Sequence, residues 1–279
     1  MRVDAHHHLW RYSAAEYGWI DERMKYLRRD FIPADLEPEL MAAHVDATVV
    51  VQARQTLEET EWLLEEAGRT PWIRGVVGWA PLAGCDFATT LEQLRQNPLL
   101  KGLRHVVQGE PKGFLGDNAF NRGITDMLGS GVVYELLIYA DQIEEATAFV
   151  DRHPNQIFVL DHIAKPNIAG DGFDAWEKPF RGLARRENIV CKLSGMVTEA
   201  DWNAWSPSTL QPYFDTALEA FGPGRLMCGS DWPVLTVAAS YERWWMTLSE
   251  WLAPLSELER SEIEGGVAMR IYNIERVEG

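Results

Sequence analysis

The feature that most constrains this chain is an alternation that runs along its whole length: eight short runs rich in β-branched and other apolar residues recur between segments of helical periodicity. The runs are VDAHHH (3–8), ATVVVQA (47–53), IRGVVGWA (73–80), LKGLRHVV (100–107), VVYELLIYA (132–140), IFVLDH (157–162), IVCKLS (189–194) and LMCGSD (226–231). Between them lie helix patterns such as TLEETEWLLEEAG, where Thr56 and Glu59 have capping-box spacing and Gly68 is placed as a C-cap. DQIEEATAFVDRHP is similar, opening at Asp141 and stopped by Pro154. Strands that alternate with helices pair in parallel, because only a crossover returns the chain to the same edge. A count of eight predicts closure into a (β/α)8 barrel. No Gly/Ser-rich linker, low-complexity tract or short repeat interrupts the series, so an α/β fold with one barrel domain over 1–279 is expected. The competing architecture, an open doubly wound sheet, lacks the glycine-rich phosphate loop that would follow its first strand.

Composition narrows the partners. With 46% hydrophobic and 24% charged residues the 279-residue chain can bury a full core. A net charge of -16 disfavours nucleic acid and anionic membranes, since long-range repulsion opposes both encounters, and leaves small molecules as the expected partners. Cys85, Cys191 and Cys228 are an odd, widely spaced set without a CxxC pair, as reduced thiols of a cytoplasmic protein would be. The N-terminus has no apolar h-region, and no run nears the roughly 18 apolar residues of a membrane span, so the expected location is the cytoplasm.

The opening DAHHHLW is too short, and too closely framed by Val3, Ala5 and Leu9, to read as an expression tag. In a strand, alternate side chains share a face, so His6 and His8 point together and His7 points away. In a barrel these two imidazoles would face the lumen at the end where barrel active sites lie, and could converge on one divalent ion, with zinc suited to nitrogen ligands. An exposed cluster or a set of hydrogen-bonded core histidines is the plainer alternative. At the far end, RLMCGSDWPV places Asp231 at the mouth of the last strand, and strands 1 and 8 of a closed barrel are neighbours. A turn or helix N-cap is the bland reading of SDWP. In IFVLDHIAKP, His162 ends the sixth run with Asp161 beside it, placed to orient a water or stabilise an oxyanion, or else to form a structural pair.

DAHHHLW, KGLRH, LDHIAKP, CKLSG followed by VTEADW, and LMCGSDWPV occur in this order on the expected strands. Together they resemble the lactonase branch of the amidohydrolase superfamily, and more narrowly its sugar-acid lactonases. The resemblance implies a (β/α)8 barrel that hydrolyses an intramolecular ester, with one divalent metal in some members and no metal requirement in others. It assigns His6 and His8 to the HxH pair, His162 to the strand-6 histidine and Asp231 to the strand-8 aspartate. The chain departs from the two-metal pattern: the fourth run supplies Arg104 and His105 in place of a bridging lysine or glutamate, and the fifth contains no histidine. One metal, bound by His6, His8 and Asp231, is therefore expected.

Asp231 would accept a proton from the attacking water and return it to the leaving alkoxide, with His162 as its catalytic partner. A metal would polarise the lactone carbonyl or acidify water. Arg104, His105 and Lys192 are candidate oxyanion stabilisers. Gln52, Trp79 and Trp232, with Trp10, are candidates to contact a sugar ring, although most of the 12 Trp are expected to be packing residues. The scarcity of cations at strand ends favours a neutral sugar-acid lactone over a dicarboxylate. Two other functions fit the same motifs: an aromatic-acid decarboxylase, which related barrels imply, and a non-catalytic binding barrel.

Overall fold

The computed structural model describes residues 1–275. Each of the eight runs contains a strand: β1 (Val3–His7), β2 (Ala47–Val51), β3 (Ile73–Gly78), β4 (Leu100–Val106), β5 (Val133–Leu137), β6 (Phe158–Leu160), β7 (Ile189–Leu193) and β8 (Leu226–Cys228). They form one sheet in sequence order, every neighbouring pair parallel. The seam between first and last strands is closed just beyond β8, where His8 N donates to Trp232 O (2.6 Å) and Asp231 N to His6 O (2.7 Å). The result is a (β/α)8 barrel.

A helix follows each strand: α1 (Pro33–Ala42), α2 (Leu57–Arg69), α3 (Phe87–Leu94), α4 (Asn118–Asp126), α5 (Ile143–Arg152), α6 (Phe173–Leu183), α7 (Pro207–Phe221) and α8 (Tyr241–Leu252). Two short helices, α9 (Glu257–Ser261) and α10 (Val267–Ile271), complete the C-terminal part. Thr56 caps α2 by accepting from Glu59 N at 3.2 Å. The reciprocal half of the expected capping box is absent. The Glu59 carboxylate instead receives Ala53 N, Arg54 N and the Tyr17 hydroxyl, tying two loops together. Gly68 lies inside α2 and is not its C-cap; the helix runs to Arg69 and closes with Thr70 N on Ala67 O. Among the described residues, no helix is long and apolar enough to cross a membrane.

The core has two parts. Outward-facing strand residues such as Leu160 and Cys191 pack with the helices, while Val49, Val133, Val159, Val190 and Met227 fill the lower lumen and are covered by Val267 and Tyr272 near α10. Val3 and Ala5 belong to the lumen cluster. Strict alternation from them would carry His7, not His6 and His8, into the barrel. The β1–β2 register shifts between Asp4 and His7, a bulge that re-aims the strand. Asp4, before the shift, points outward by alternation to the Tyr241 hydroxyl (2.9 Å); beyond it His7 also turns outward, to Thr48 Oγ1 (2.8 Å), which leaves His6 and His8 facing the lumen.

Gly229 lets β8 approach this bulge. A Cβ placed on it would stand 2.9 Å from His6 Cβ and 3.2 Å from Ser194 Cβ, both buried. Gly229→Ala is therefore expected to destabilise the fold by about 1 to 3 kcal/mol, the usual range for overpacking a closed core. Urea unfolding would detect this, and unchanged stability would show that the seam has slack.

Candidate active site

Four side chains converge at the C-terminal mouth of the barrel. His6 Nε2 and His8 Nε2 lie 3.2 Å apart, and Asp231 Oδ1 stands 3.8 Å from the first and 3.3 Å from the second. His162 Nε2 is 3.9 Å from the same oxygen. All four are buried. Their placement is built locally. The β1 bulge aims His6 and His8, and Asp231 adopts a left-handed φ of 63° within the seam. His162 begins a left-handed run that continues through Ile163, Ala164 and Lys165, with φ values from 45° to 62°. Gly195, at φ 63°, lies against His162: a Cβ there would stand 2.5 Å from Nδ1, so only glycine fits. The ring is fixed by Ser194, whose Oγ lies 2.8 Å from Nδ1.

Below the histidines is a buried ladder of charge. The Arg104 guanidinium reaches Asp161 Oδ2 (2.9 Å) and Gln52 O, and Lys192 Nζ reaches Glu135 Oε2 (2.6 Å). Asp161 Oδ1 lies 3.1 Å from Lys192 Nζ and 3.3 Å from His6 Nδ1, as charge contacts and not as aligned hydrogen bonds. Burial alone would raise the Asp161 carboxyl; Lys192 and Arg104, with His6 on the acid side where it is charged, overcome it and hold it well below 3.8. Burial and the Lys192 ammonium keep His6 neutral, far below 6.5. Burial likewise lowers His162 to about 4, against the opposing pull of Asp231 and Asp161. Burial also opposes ionisation of Asp231, yet His162, His8 and Lys165 bring it below its ordinary value. Because His162 charges only near pH 4, its pull on Asp231 acts on the acid side alone; at neutral pH the Lys165 ammonium provides the stabilisation.

Neutral imidazoles beside an ionised carboxylate are a donor set suited to a divalent cation. His8 Nδ1 lies 2.7 Å from Val51 O, an acceptor that fixes the proton on Nδ1 and frees Nε2. His6 has no such fixed tautomer: Nδ1 lies between the Lys192 ammonium (3.1 Å), which can only donate, and Asp161 Oδ1 (3.3 Å), while Arg104 Nη1 stands 3.4 Å from Nε2. The ligand atoms of His6, His8 and Asp231 all lie within 4.8 Å of one another. A second grouping, His6 with Asp161 and His162, meets the same distance criterion, but Asp161 is already neutralised by two protein cations.

Above the four residues opens a cavity of about 530 Å³ whose wall includes His8, Arg104, His162 and Asp231. Of the expected substrate-contacting residues only Arg104 reaches it. Gln52 is fully buried with Nε2 directed to Arg104 O, and Lys192 lies beneath His6 in the charge ladder. His105 alternates outward from Arg104, pairing with Glu110 (2.7 Å) and stacking on Phe114. Trp79 turns its indole N–H toward His105, and Trp232 and Trp10 pack on Phe31. The wall is instead supplied by Trp19, Met24, Tyr139, Lys165, Glu199 and Trp202. Lys165, Glu199 and Trp202 lie within LDHIAKP and VTEADW, so the motifs contained the signal even though other positions were favoured.

Residues 3–274 match the amidohydrolase family. The chain belongs to the amidohydrolase family. It is 40% identical to the L-fucono-1,5-lactonase of Burkholderia multivorans, over 98% of this chain and 96% of that protein. Its identity to the L-fucono-1,5-lactonase of Burkholderia ambifaria is 34%, over 100% and 98% respectively. The crystal structure of an amidohydrolase from Burkholderia multivorans with bound zinc superposes with a TM-score of 0.96 at 39% identity, covering 99% of this chain and all of that one (100%).

The donor geometry yields a prediction for this amidohydrolase that does not depend on turnover. Elemental analysis of protein equilibrated with a divalent metal and desalted should find about one ion per chain. His6→Ala and His8→Ala should lose it, whereas His7→Ala, whose ring faces Thr48, should retain it. Metal retained by the His8 variant would move the site to the His6, Asp161 and His162 grouping.

Proposed function

We propose that this amidohydrolase hydrolyses a sugar-acid lactone, such as L-fuconolactone, to the free aldonic acid, with one barrel domain carrying the activity. The observation that carries this reading is Asp231: an ionised carboxylate on the floor of the cavity, flanked by three imidazoles of which His6 and His162 are held neutral by burial. The full-length likeness to two L-fucono-1,5-lactonases supports the substrate class. We assign Asp231 as general base and then acid, His162 as its catalytic partner, and His6, His8 and Asp231 as the metal-holding set. The ion is zinc, supported by the donor chemistry and by the zinc in the related Burkholderia structure. When bound, such an ion supplies Lewis acidity to the lactone carbonyl.

The chain's own groups account for the proton movements. Asp231 accepts a proton as water attacks the carbonyl carbon, forming the new C–O bond and a tetrahedral oxyanion. His162, anchored on Ser194, presents Nε2 to the same space and orients the water. The Arg104 guanidinium, on the cavity wall, stabilises the negative charge. Collapse breaks the ring C–O bond, and Asp231 returns the proton to the departing alkoxide. Decarboxylation of an aromatic acid would place a full carboxylate against cations that already carry counter-ions: Arg104 has Asp161, Lys165 has Glu199, and Lys192 is enclosed. A hydroxyl or a developing oxyanion can share such a pair, whereas a carboxylate meets the repulsion of its acid partner. The unpaired thiols Cys85, Cys191 and Cys228 support action in the reducing cytoplasm.

A panel of sugar lactones, assayed in weakly buffered pH indicator with and without chelator, tests the proposal. Acid release from a six-carbon sugar lactone is expected, and Asp231→Asn should lower kcat by about 10²-fold or more, the range for a lost general acid–base. Near-native turnover in this variant would remove Asp231 from proton transfer. Loss of an aromatic chromophore without lactone hydrolysis would favour decarboxylation.

A further inference from the structure

Lys165 and Glu199 transfer no proton in the steps above, where Lys165 acts only through the charge it presents to Asp231, yet the fold uses unusual backbone geometry to present them. Lys165 closes the left-handed run that begins at His162, so one turn delivers two side chains to one cavity. Its ammonium lies 3.2 Å from a Glu199 carboxylate oxygen and 5.9 Å from the centre of the Tyr139 ring. Glu199 comes from the segment after β7, held against the β6 segment by Ala169 N donating to Glu199 O at 2.9 Å. Lys165, Glu199 and Tyr139 also line a second cavity of about 360 Å³, so the pair is a partition open on both sides. Three ammonium hydrogens and two carboxylate oxygens exceed what the single 3.2 Å contact uses, so the pair keeps hydrogen-bonding capacity where it lines the cavities.

We propose that the Lys165–Glu199 pair is the subsite that reads the hydroxyl groups of the lactone ring. A hydroxyl donates and accepts at once, so it can bridge an ammonium donor and a carboxylate acceptor that already stand side by side. A ring lacking that hydroxyl would desolvate both charges without replacing their water. The aromatic faces of Trp19 and Trp202 stand on the same cavity wall and complement the apolar face of a pyranose-like ring. Arg23 lies over the Trp202 ring at 5.1 Å, joining the loop after β1 to the loop after β7 across the mouth. Selectivity for a polyhydroxylated lactone thus resides at the rim, separate from the bond-breaking groups on the floor. The subsite rests on the lactonase reading for its substrate, although not for its chemistry.

The test compares kcat/KM for L-fucono-1,5-lactone with that for unsubstituted δ-valerolactone, in the native protein and in Lys165→Met and Glu199→Gln. Each variant is expected to lower the ratio of the two values by about 10- to 100-fold, the worth of a charged hydrogen bond. The ratio is internal to each sample, so a partly unfolded variant does not disturb it. Lys165→Arg, which keeps the charge, should recover part of the ratio. A ratio unchanged in both Met and Gln variants overturns the proposal. The second arm measures binding of L-fucose, which has the hydroxylated ring and no ester, by quenching of tryptophan fluorescence. At least tenfold weaker binding in both variants supports the subsite, and unaltered binding overturns it. If the native protein hydrolyses neither lactone, the lactonase reading falls and the L-fucose arm alone still decides the role of Lys165 and Glu199.

Discussion

The interaction on which the site depends is the seam that closes the barrel. Two backbone hydrogen bonds, Asp231 N to His6 O and His8 N to Trp232 O, join residues more than 200 positions apart and bring the carboxylate beside both imidazoles. The seam has its own outer support. Asp4 accepts from Ser230 N (2.8 Å), Ser230 Oγ (2.6 Å), Tyr241 OH (2.9 Å) and His6 N (3.2 Å), so one buried carboxylate fixes the residues before His6 and before Asp231 together. Burial nonetheless pushes Asp4 up to about 6 against these bonds. Its donors therefore define geometry more than they add net stability, as expected where desolvation consumes most of the electrostatic gain. Residues 4 and 230 act as the clamp of the seam, and residues 6, 8 and 231 as its product.

Inside the barrel the problem is electrical. Glu135, Asp161, Arg104 and Lys192 are all buried, and an unpaired charge at that depth would be costly. They offset one another: Lys192 bridges Glu135 and Asp161, and Arg104 holds the other oxygen of Asp161. The Tyr272 hydroxyl completes Glu135 from the C-terminal segment. This arrangement decides which face of His6 is available. Nδ1 is enclosed by Lys192 and Asp161, whereas Nε2 faces His8 and Asp231, with Arg104 Nη1 at 3.4 Å. Two protein cations already neutralise the lower group, so the donor set at the mouth is the one left for an external cation. A chain with protein cations in this position needs fewer metal ligands, consistent with the absence of histidine from β5.

The alternation of strand and helix patterns was sufficient to read the barrel, because a parallel strand buried on both faces and an amphipathic helix have different periods. The pairing of His6 with His8 was also legible, but for an incomplete reason. Alternation relates His6 to His8, whereas it takes the bulge after Asp4 to decide that this pair faces the lumen and not the face of His7. A bulge leaves little trace in local composition, since it depends on the register of the neighbouring strand. The same limit explains Gln52, His105, Lys192 and Trp232. Each lies at a strand end, but depth and side-chain direction place them under or behind the cavity. Loop residues such as Trp19 and Trp202 reach the mouth through tertiary packing that no periodicity encodes.

The left-handed turn from His162 to Lys165 shows how such placement is maintained. Each non-glycine residue in this region costs about 1 to 2 kcal/mol, and Ile163 is β-branched, among the least tolerant of side chains there. An isolated peptide of this sequence would relax. In the barrel the Ile163 and Ala164 side chains are fully buried, Trp176 Nε1 donates to Ile163 O at 2.7 Å, and Lys165 N closes on His162 O at 2.8 Å. Burial of an isoleucine contributes about 1.5 to 3 kcal/mol, so packing against α6 offsets part of the strain. A relaxed turn would free the backbone but withdraw His162 from Asp231 and Lys165 from Glu199 at once. Strain retained at a point that serves two sites is the expected signature of geometry held for function and not for stability.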